Sequence, residues 1–203
     1  MAICRSPSAR AERTRAALIA AGFDLLVERP IDAIPIDDIV ALAGVGKGSF
    51  FNHFADKRNF AEAIATEVRL ELEALIARTN AAMSDPVERI ARGMRTGAEF
   101  AITQPKRSAA LVRSHGQSTA SAHSLNQGLR NDFDAAATQG MLRDEAAESG
   151  LLYWLGLCQM LMISLIESRP SVVEANKRVR NMIILGLTGL GVSHDQAVAI
   201  ADK

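Results

Sequence analysis

The sequence is poor in cysteine and has no excess of charge of either sign. Cys4 and Cys158 are the only cysteines among 203 residues, too few for a disulfide framework in a chain of this length. Lysine plus arginine and aspartate plus glutamate number 23 each, so no global field attracts a polyanion. Any nucleic-acid site must therefore be local.

The sequence also lacks the signals of secretion and membrane insertion. Its first residues contain no seven-residue apolar stretch of the kind a secretory leader needs. The longest apolar run, residues 151–166, has sixteen residues, below the roughly 20 that span a bilayer. These absences predict a cytoplasmic protein without membrane association.

Motifs of catalysis and metal binding are missing as well. The sequence contains no H-E-x-x-H and no G-x-S-x-G, and its four histidines and two cysteines show no metal-ligand spacing. We therefore expect no enzyme, no cofactor and no metal, and a helical enzyme with an unrecognised site is a minor alternative. Cys158, inside the apolar run, is interpreted as a small hydrophobic residue rather than a redox sensor.

Helical periodicity fills the chain, whereas the alternation typical of strands is absent. One apolar stripe predicts a first helix over about 9–29, ended by Pro30. Pro35 and the following acidic pair open a second, short helix, which Gly44 closes. A third helix begins near Gly46 or Lys47 and stops by residue 55, and Asp56 caps a fourth that reaches about residue 80.

The remainder is predicted to be helical too, which makes the fold class all-α. Proline and glycine breaks place further helices near 86–103, 106–115, 121–141, 144–168, 171–190 and 193–202. We expect about nine helices in two domains, a three-helix domain over 1–56 and a larger helical domain over 57–203.

The glycine-rich stretch GVGKGSFFNHF, residues 44–54, decides between two kinds of phosphate recognition. A nucleotide-binding loop needs glycine, four residues, then Gly-Lys followed by Ser or Thr, but here Gly46-Lys47 is followed by Gly48 and no strand leads in. Two short helices around a tight glycine turn instead indicate a helix–turn–helix. Inward packing is expected for Ile39, Ala43, Val45, Phe50 and Phe54. A surface-exposed helical hairpin with an accidental glycine turn is the alternative.

The first sixty residues resemble the DNA-binding domain of TetR-type transcriptional regulators. The similarity lies in LIAAGFDLLVERP and IDDIVALAGVGKGSFFNHFADKRNF. It implies a homodimer on a palindromic double-stranded DNA operator, acting most often as a repressor that a small-molecule effector releases. The helical remainder is compatible with that family's ligand-binding and dimerisation domain but carries no diagnostic motif.

The resemblance also assigns roles to individual residues. It implies base contacts by Lys47, Gly48, Ser49 and Asn52, whose types suit the edges of guanine and adenine. Contacts to the DNA backbone are implied for Phe51, His53 and Lys57, and a first-helix or arm contact for Arg13, with Arg10 and Arg15 beside it.

Three positions depart from the family pattern by losing a hydroxyl group. Phe51 replaces a tyrosine, Pro35 a threonine that caps the second helix, and Gly46 the serine or threonine that caps the third. Each loss is expected to weaken DNA binding by about 1 kcal/mol. These losses motivate an alternative function, a helical interaction scaffold that retains a non-functional helix–turn–helix.

Two further expectations concern the larger domain. The apolar segment 151–166 and the stripe of the helix near 171–190, which includes Val179, Ile183 and Gly186, fit either the core of one chain or an intersubunit four-helix bundle. The resemblance implies the bundle, formed by the helices near 144–168 and 171–190. Either helical core or an adaptable apolar effector pocket is predicted for Met94, Phe100, Phe133, Trp154, Met160 and Met162. Polar anchors of such a pocket, or else surface or structural residues, are Arg95, Arg113, His115 and His123.

Overall fold

A computed structural model describes residues 9–113 and 126–203 of the chain. Within these ranges it contains ten α-helices, one short 3₁₀ turn at Ile31–Ala33 and no strand. The helices are α1 Ala9–Glu28, α2 Ile36–Ala43, α3 Lys47–Phe51, α4 Lys57–Asn80, α5 Pro86–Thr103, α6 Pro105–Arg113, α7 Gln127–Thr138, α8 Asp144–Ser168, α9 Val172–Gly189 and α10 His194–Ala201.

The described residues form two compact units. The first contains residues 9–67 and 109–113, and the second contains residues 68–108 and 126–203. Because α4 contributes its first half to one unit and its second half to the other, the predicted domain boundary after residue 56 stays a prediction.

The all-α fold predicted from periodicity is confirmed. The predicted limits of α5 and α8 are those observed, because Asp85 caps a helix whose first residue is Pro86 and a positive φ at Arg169 ends α8. The described residues contain ten helices, in agreement with the expected number of about nine. Helix α3 ends at Phe51, before the predicted limit at residue 55, and a turn follows it. The predicted start of α7 at residue 121 lies outside the described residues.

Local sequence explains the helix–turn–helix in the first unit. Asp37 and Asp38 lie in the first turn of α2, where carboxylates interact favourably with the helix dipole. Gly44 ends α2 at φ 65° and ψ 33°, a left-handed conformation that costs little only for glycine. The chain therefore turns sharply and begins α3 three residues later.

Interlocked phenylalanines hold α3 in place. Phe50 from α3, Phe54 from the following turn and Phe60 from α4 are buried, with ring centroids 4.9–5.6 Å apart. Leu18 and Leu26 from α1 and Ile39 from α2 belong to the same core, as do the half-buried Ala43 and Val45. The inward packing predicted for α2 and α3 is confirmed.

In the second unit, α5 packs against α7, α8, α9 and α10. Helices α8 and α9 approach closely at Gly186 of α9, where an added Cβ would lie 2.6 Å from the ring of Trp154 on α8. Val179, Ile183 and Gly186 are all buried within the described chain. The predicted α9 stripe therefore faces the core of its own chain, so the intrachain interpretation applies to these residues.

Helix α8 corrects the expectation drawn from run length. It has 25 residues, with an 18-residue window of mean hydropathy 1.7, and by length and composition alone it could cross a membrane. Core helices of water-soluble proteins meet the same criterion. One face of α8, including Leu151, Trp154 and Leu161, is buried within the second unit.

The phenylalanine core generates a prediction about two adjacent residues. Phe50 is fully buried, whereas the Phe51 side chain is 52% exposed. Phe50→Ala is therefore expected to destabilise the first unit by about 3–5 kcal/mol, because it leaves a cavity. Phe51→Ala, the matched control, should cost less than about 1 kcal/mol. Denaturant unfolding followed by circular dichroism measures both, and equal losses would contradict the packing described.

Candidate nucleic-acid interface

The first unit presents one side of α3 to solvent. Lys47, Gly48 and Asn52 are exposed and Ser49 is half-buried, while Phe50 on the opposite side is in the core. Nothing lies within 4 Å of the position that a Cβ would occupy on Gly48. The four predicted base-contacting residues therefore share one accessible surface, which we call the α3 face.

Lys47 on this face is ion-paired with the first turn of α2. Its Nζ lies 2.8 Å from Oδ1 and 3.1 Å from Oδ2 of Asp37. Both side chains remain largely exposed, at 57% for Lys47 and 69% for Asp37. Spacing of ten residues gives no local signal for such a pair, so sequence reasoning missed Asp37.

Neither helix of the motif has a side-chain N-cap. Pro35 precedes α2 and Gly46 precedes α3, and neither makes a side-chain capping hydrogen bond. At both positions the structure thus lacks the side-chain capping hydrogen bond that a serine or threonine hydroxyl would make. Phe51, the third departure, presents its ring to solvent and contacts Phe50 edge to face at 5.4 Å between centroids.

Lys57 has partners within the first unit. Its Nζ donates to the carbonyl oxygens of Asp32 at 3.0 Å and Ile34 at 3.1 Å. The ammonium therefore ties the start of α4 to the connector before α2. His53 is half-buried, with its ring 6.2 Å from that of Phe54. The predicted backbone contacts of both residues stay predictions.

The arginines of α1 divide into exposed and packed side chains. Arg10 and Arg13 are exposed. Arg15 instead pairs with Glu67, at 2.6 Å between Nη1 and Oε1, and lies over the ring of Phe54 at 5.7 Å. Arg13 therefore stays available for the predicted backbone contact, whereas Arg15 has intramolecular partners.

Comparison with known proteins agrees with this geometry. Residues 18–64 match the model of the bacterial regulatory proteins of the tetR family. This range contains α2 and α3 in full, together with most of α1 and the start of α4.

Residues 18–64 therefore carry a TetR-family DNA-binding domain.

Individual relatives match parts or all of the chain. An uncharacterized HTH-type transcriptional regulator, YwcC from Bacillus subtilis (strain 168), is 41% identical over 49 residues, which are 24% of this chain and 22% of that regulator. The match therefore spans about a fifth of the relative's length. It supports the identity of the DNA-binding motif and says nothing of the remainder.

Solved structures extend the similarity of fold to the second unit. A putative tetR family regulator from Shewanella sp. PV-4 is 16% identical, with a TM-score of 0.75 over 87% of this chain and 97% of that chain. RolR in complex with resorcinol is 20% identical, with a TM-score of 0.65 over 97% of each chain. At these identities the likeness concerns the fold alone.

Most of the predicted pocket residues are in the interior of the second unit. Five of the six are buried, namely Met94, Phe100, Phe133, Trp154 and Met162. Met160 is 59% exposed, on the uncovered side of α8, so we remove it from the proposed pocket. Arg95 donates to the Ala201 carbonyl at 2.7 Å. His115 and His123 lie outside the described residues, as does the side chain of Arg113.

A polar cluster in the second unit was not predicted. Arg69 Nη2 of α4 lies 2.7 Å from Glu73 Oε1 and donates to Oδ1 of the buried Asn126 at 2.8 Å. Burial raises the pKa of the Glu73 carboxyl, and the charge of Arg69 partly opposes that shift. An arginine and a glutamate four residues apart, beside the buried Val68 and Leu72, were the sequence signal that was overlooked.

An uncovered apolar face runs along α8 and α9. Leu152, Met160 and Leu185 are exposed by 59–64%. On α8, Leu152, Gly156 and Met160 are four residues apart and exposed, and helical periodicity places them on one side. We call Leu152, Gly156, Met160 and Leu185 the α8–α9 face. It differs from the buried α9 stripe that the sequence singled out.

The environment of Cys158 leads to a reactivity prediction. Burial is the main cause that raises the pKa of its thiol to about 12. Since the thiolate is the reactive form, alkylation by iodoacetamide near pH 9 should be about a thousandfold slower than for an unperturbed thiol.

The measurement uses a Cys4→Ser variant, so that Cys158 is the single thiol. Mass spectrometry follows alkylation in native buffer and in denaturant. Rapid labelling that is the same in both conditions would contradict the protected, protonated thiol.

Proposed function

We propose that this protein is a homodimeric, ligand-responsive transcriptional repressor that binds a palindromic operator through the α3 face. The observation that carries the proposal is the exposed side of α3, fixed by the buried Phe50 on its other side. A recognition helix reads base edges from its first residues in the major groove. Lys47, Gly48, Ser49 and Asn52 are the proposed base contacts.

Contacts to phosphates would fix the register of the protein on DNA. Arg13 and His53 are proposed for this role, and Phe51 contributes packing against the sugar–phosphate backbone without a hydrogen bond. Lys57 has a third N–H beyond the two that hold Asp32 and Ile34. It can therefore contact a phosphate while it keeps the α2 connector in place.

A direct test replaces two proposed base contacts at once. Lys47→Ala plus Asn52→Ala should weaken binding to the selected operator by about 30-fold or more, because a good base contact contributes roughly 1–3 kcal/mol. The operator is first isolated by wild-type protein from a random duplex library, and fluorescence anisotropy in defined salt gives the affinities.

Lys177→Ala, an exposed α9 lysine, is the control and should bind as wild type. Unchanged operator binding by the double variant would contradict the α3 face as the reading surface. If wild-type protein selects no duplex, the scaffold function is favoured instead, for which the missing side-chain caps at Pro35 and Gly46 are the motivating observation.

The homodimer is proposed to form through the α8–α9 face. Its exposed leucines and methionine form an apolar surface, and the same surface of a second subunit would cover it in a two-fold arrangement. Such a dimer places two α3 helices to contact half-sites about 34–36 Å apart. Coverage by a second subunit also accounts for the apolar character of α8 without a membrane, consistent with a proposed cytoplasmic location.

A charge on this face should disrupt the dimer. Leu185→Glu would bury an unpaired carboxylate, and we expect roughly a hundredfold weaker self-association in sedimentation equilibrium. Leu70→Glu is the matched control, since Leu70 of α4 is 52% exposed but lies outside the face. Equal dissociation constants for the two variants would contradict this interface.

The effector is proposed to bind in the second unit. Met94, Phe100, Phe133, Trp154 and Met162 would contact its apolar part, and the Arg69–Glu73–Asn126 cluster its polar atoms. A small amphipathic molecule fits this combination. RolR has been crystallised with resorcinol, a compound of that general character. The ligand would release DNA by favouring a dimer whose α3 helices no longer match the two half-sites.

A further inference from the structure

Lys47 does not offer DNA a free ammonium group. Both carboxylate oxygens of Asp37 lie within hydrogen-bonding distance of its Nζ, at 2.8 and 3.1 Å. An ammonium has three N–H donors, so a pair of this geometry leaves one of them for another acceptor. The charge of Lys47 is thus balanced on the surface proposed to meet DNA.

In the fold, Lys47 pairs with Asp37 and not with the adjacent Asp38. Asp37 and Asp38 are adjacent in the first turn of α2, yet they serve different cations. Asp38 Oδ2 lies 2.6 Å from Nη2 of Arg29, the residue that follows α1, whereas Asp37 lies beside Lys47. The glycine turn at Gly44 returns the chain so that the first residue of α3 meets the first turn of α2.

We infer that Asp37 is a specificity-determining residue, which restrains Lys47 from non-specific phosphate contacts and leaves it able to contact base edges. This inference rests on the DNA-binding function proposed above. A phosphate would have to compete with the Asp37 carboxylate for Lys47, and that carboxylate, which stays beside Lys47, would also repel it. Guanine O6 and N7 are neutral acceptors, which the remaining N–H can reach while the ion pair persists.

The charge of the first unit makes this restraint consequential. Its described residues, 9–67 and 109–113, contain eight lysines and arginines but nine aspartates and glutamates. Non-specific affinity for DNA comes almost entirely from cations that displace counterions from phosphates. In a unit with so few cations, balancing one of them lowers non-specific binding measurably. Specificity for the operator then increases because affinity for other DNA sequences is lowered.

The test compares two short duplexes, one of random sequence and one selected by the wild-type protein. Asp37→Asn should raise affinity for the random duplex roughly three- to tenfold and steepen the slope of log K against log salt by about 0.9. Affinity for the selected duplex should rise less, so the ratio of the two affinities falls. Circular dichroism verifies that the exposed substitution leaves the fold intact.

A second substitution shows whether Asp37 acts through Lys47. On the random duplex, Lys47→Met should cost little in the wild-type background but should remove most of the gain in the Asp37→Asn background. Glu28→Gln, at the exposed end of α1, is the charge-matched control and should change affinity less than Asp37→Asn.

Several outcomes would overturn the inference. Weaker binding by Asp37→Asn would make Asp37 a positioning residue for Lys47 instead. An equal effect of Lys47→Met in both backgrounds, or an equal gain from Glu28→Gln, would reduce Asp37 to a general repulsive charge. If the wild-type protein binds neither duplex, the proposed function fails and the inference fails with it. If the wild-type protein binds DNA in a salt-sensitive way but the effects of Asp37→Asn and Lys47→Met are independent, only the inference is overturned.

Discussion

The packing of Phe50 into the core of the first unit is the interaction on which the proposed function depends. A helix of five residues does not persist in water by itself, because nucleation costs more than so few hydrogen bonds return. α3 also lacks a side-chain N-cap, since Gly46 precedes it. Its helical form must therefore come from tertiary contacts, chiefly those of Phe50 with Phe54 and Phe60.

The two faces of α3 therefore have different roles in the first unit. The buried face provides stability through apolar contacts, and the exposed face carries polar residues and a glycine. Lys47 has a partner in Asp37, which moderates its charge. We propose that recognition of DNA and restraint against non-specific binding reside in this same small surface.

Helix boundaries could be predicted from the sequence because their signals are local. Proline at the start of α5, Asp56 before α4 and the left-handed Gly44 act within a few residues of the ends they determine. The long-range polar contacts could not be predicted in this way. Asp37 with Lys47, Arg15 with Glu67 and Arg69 with Asn126 join residues ten to fifty-seven positions apart, and only the tertiary arrangement brings them together.

In the second unit, the sequence identified the apolar residues but could not show which of them are buried. Periodicity identified apolar residues on α8 and α9 correctly, but both helices carry them on more than one side. Which side meets the chain's own core is decided by close approach, as at Gly186 beneath Trp154. The sequence alone could not distinguish that contact from one with a second subunit, and the exposed Leu152 and Leu185 became apparent only with the packing.

The central claim, that a core-anchored α3 presents its outer face to DNA, is tested most directly by NMR titration of the full-length protein with its selected duplex. The account predicts that backbone amide shifts change most at Lys47, Gly48, Ser49 and Asn52, while the Phe50 and Phe54 amides stay protected from hydrogen exchange throughout. Shift changes concentrated elsewhere, or rapid exchange at Phe50 and Phe54 in the free protein, would contradict it.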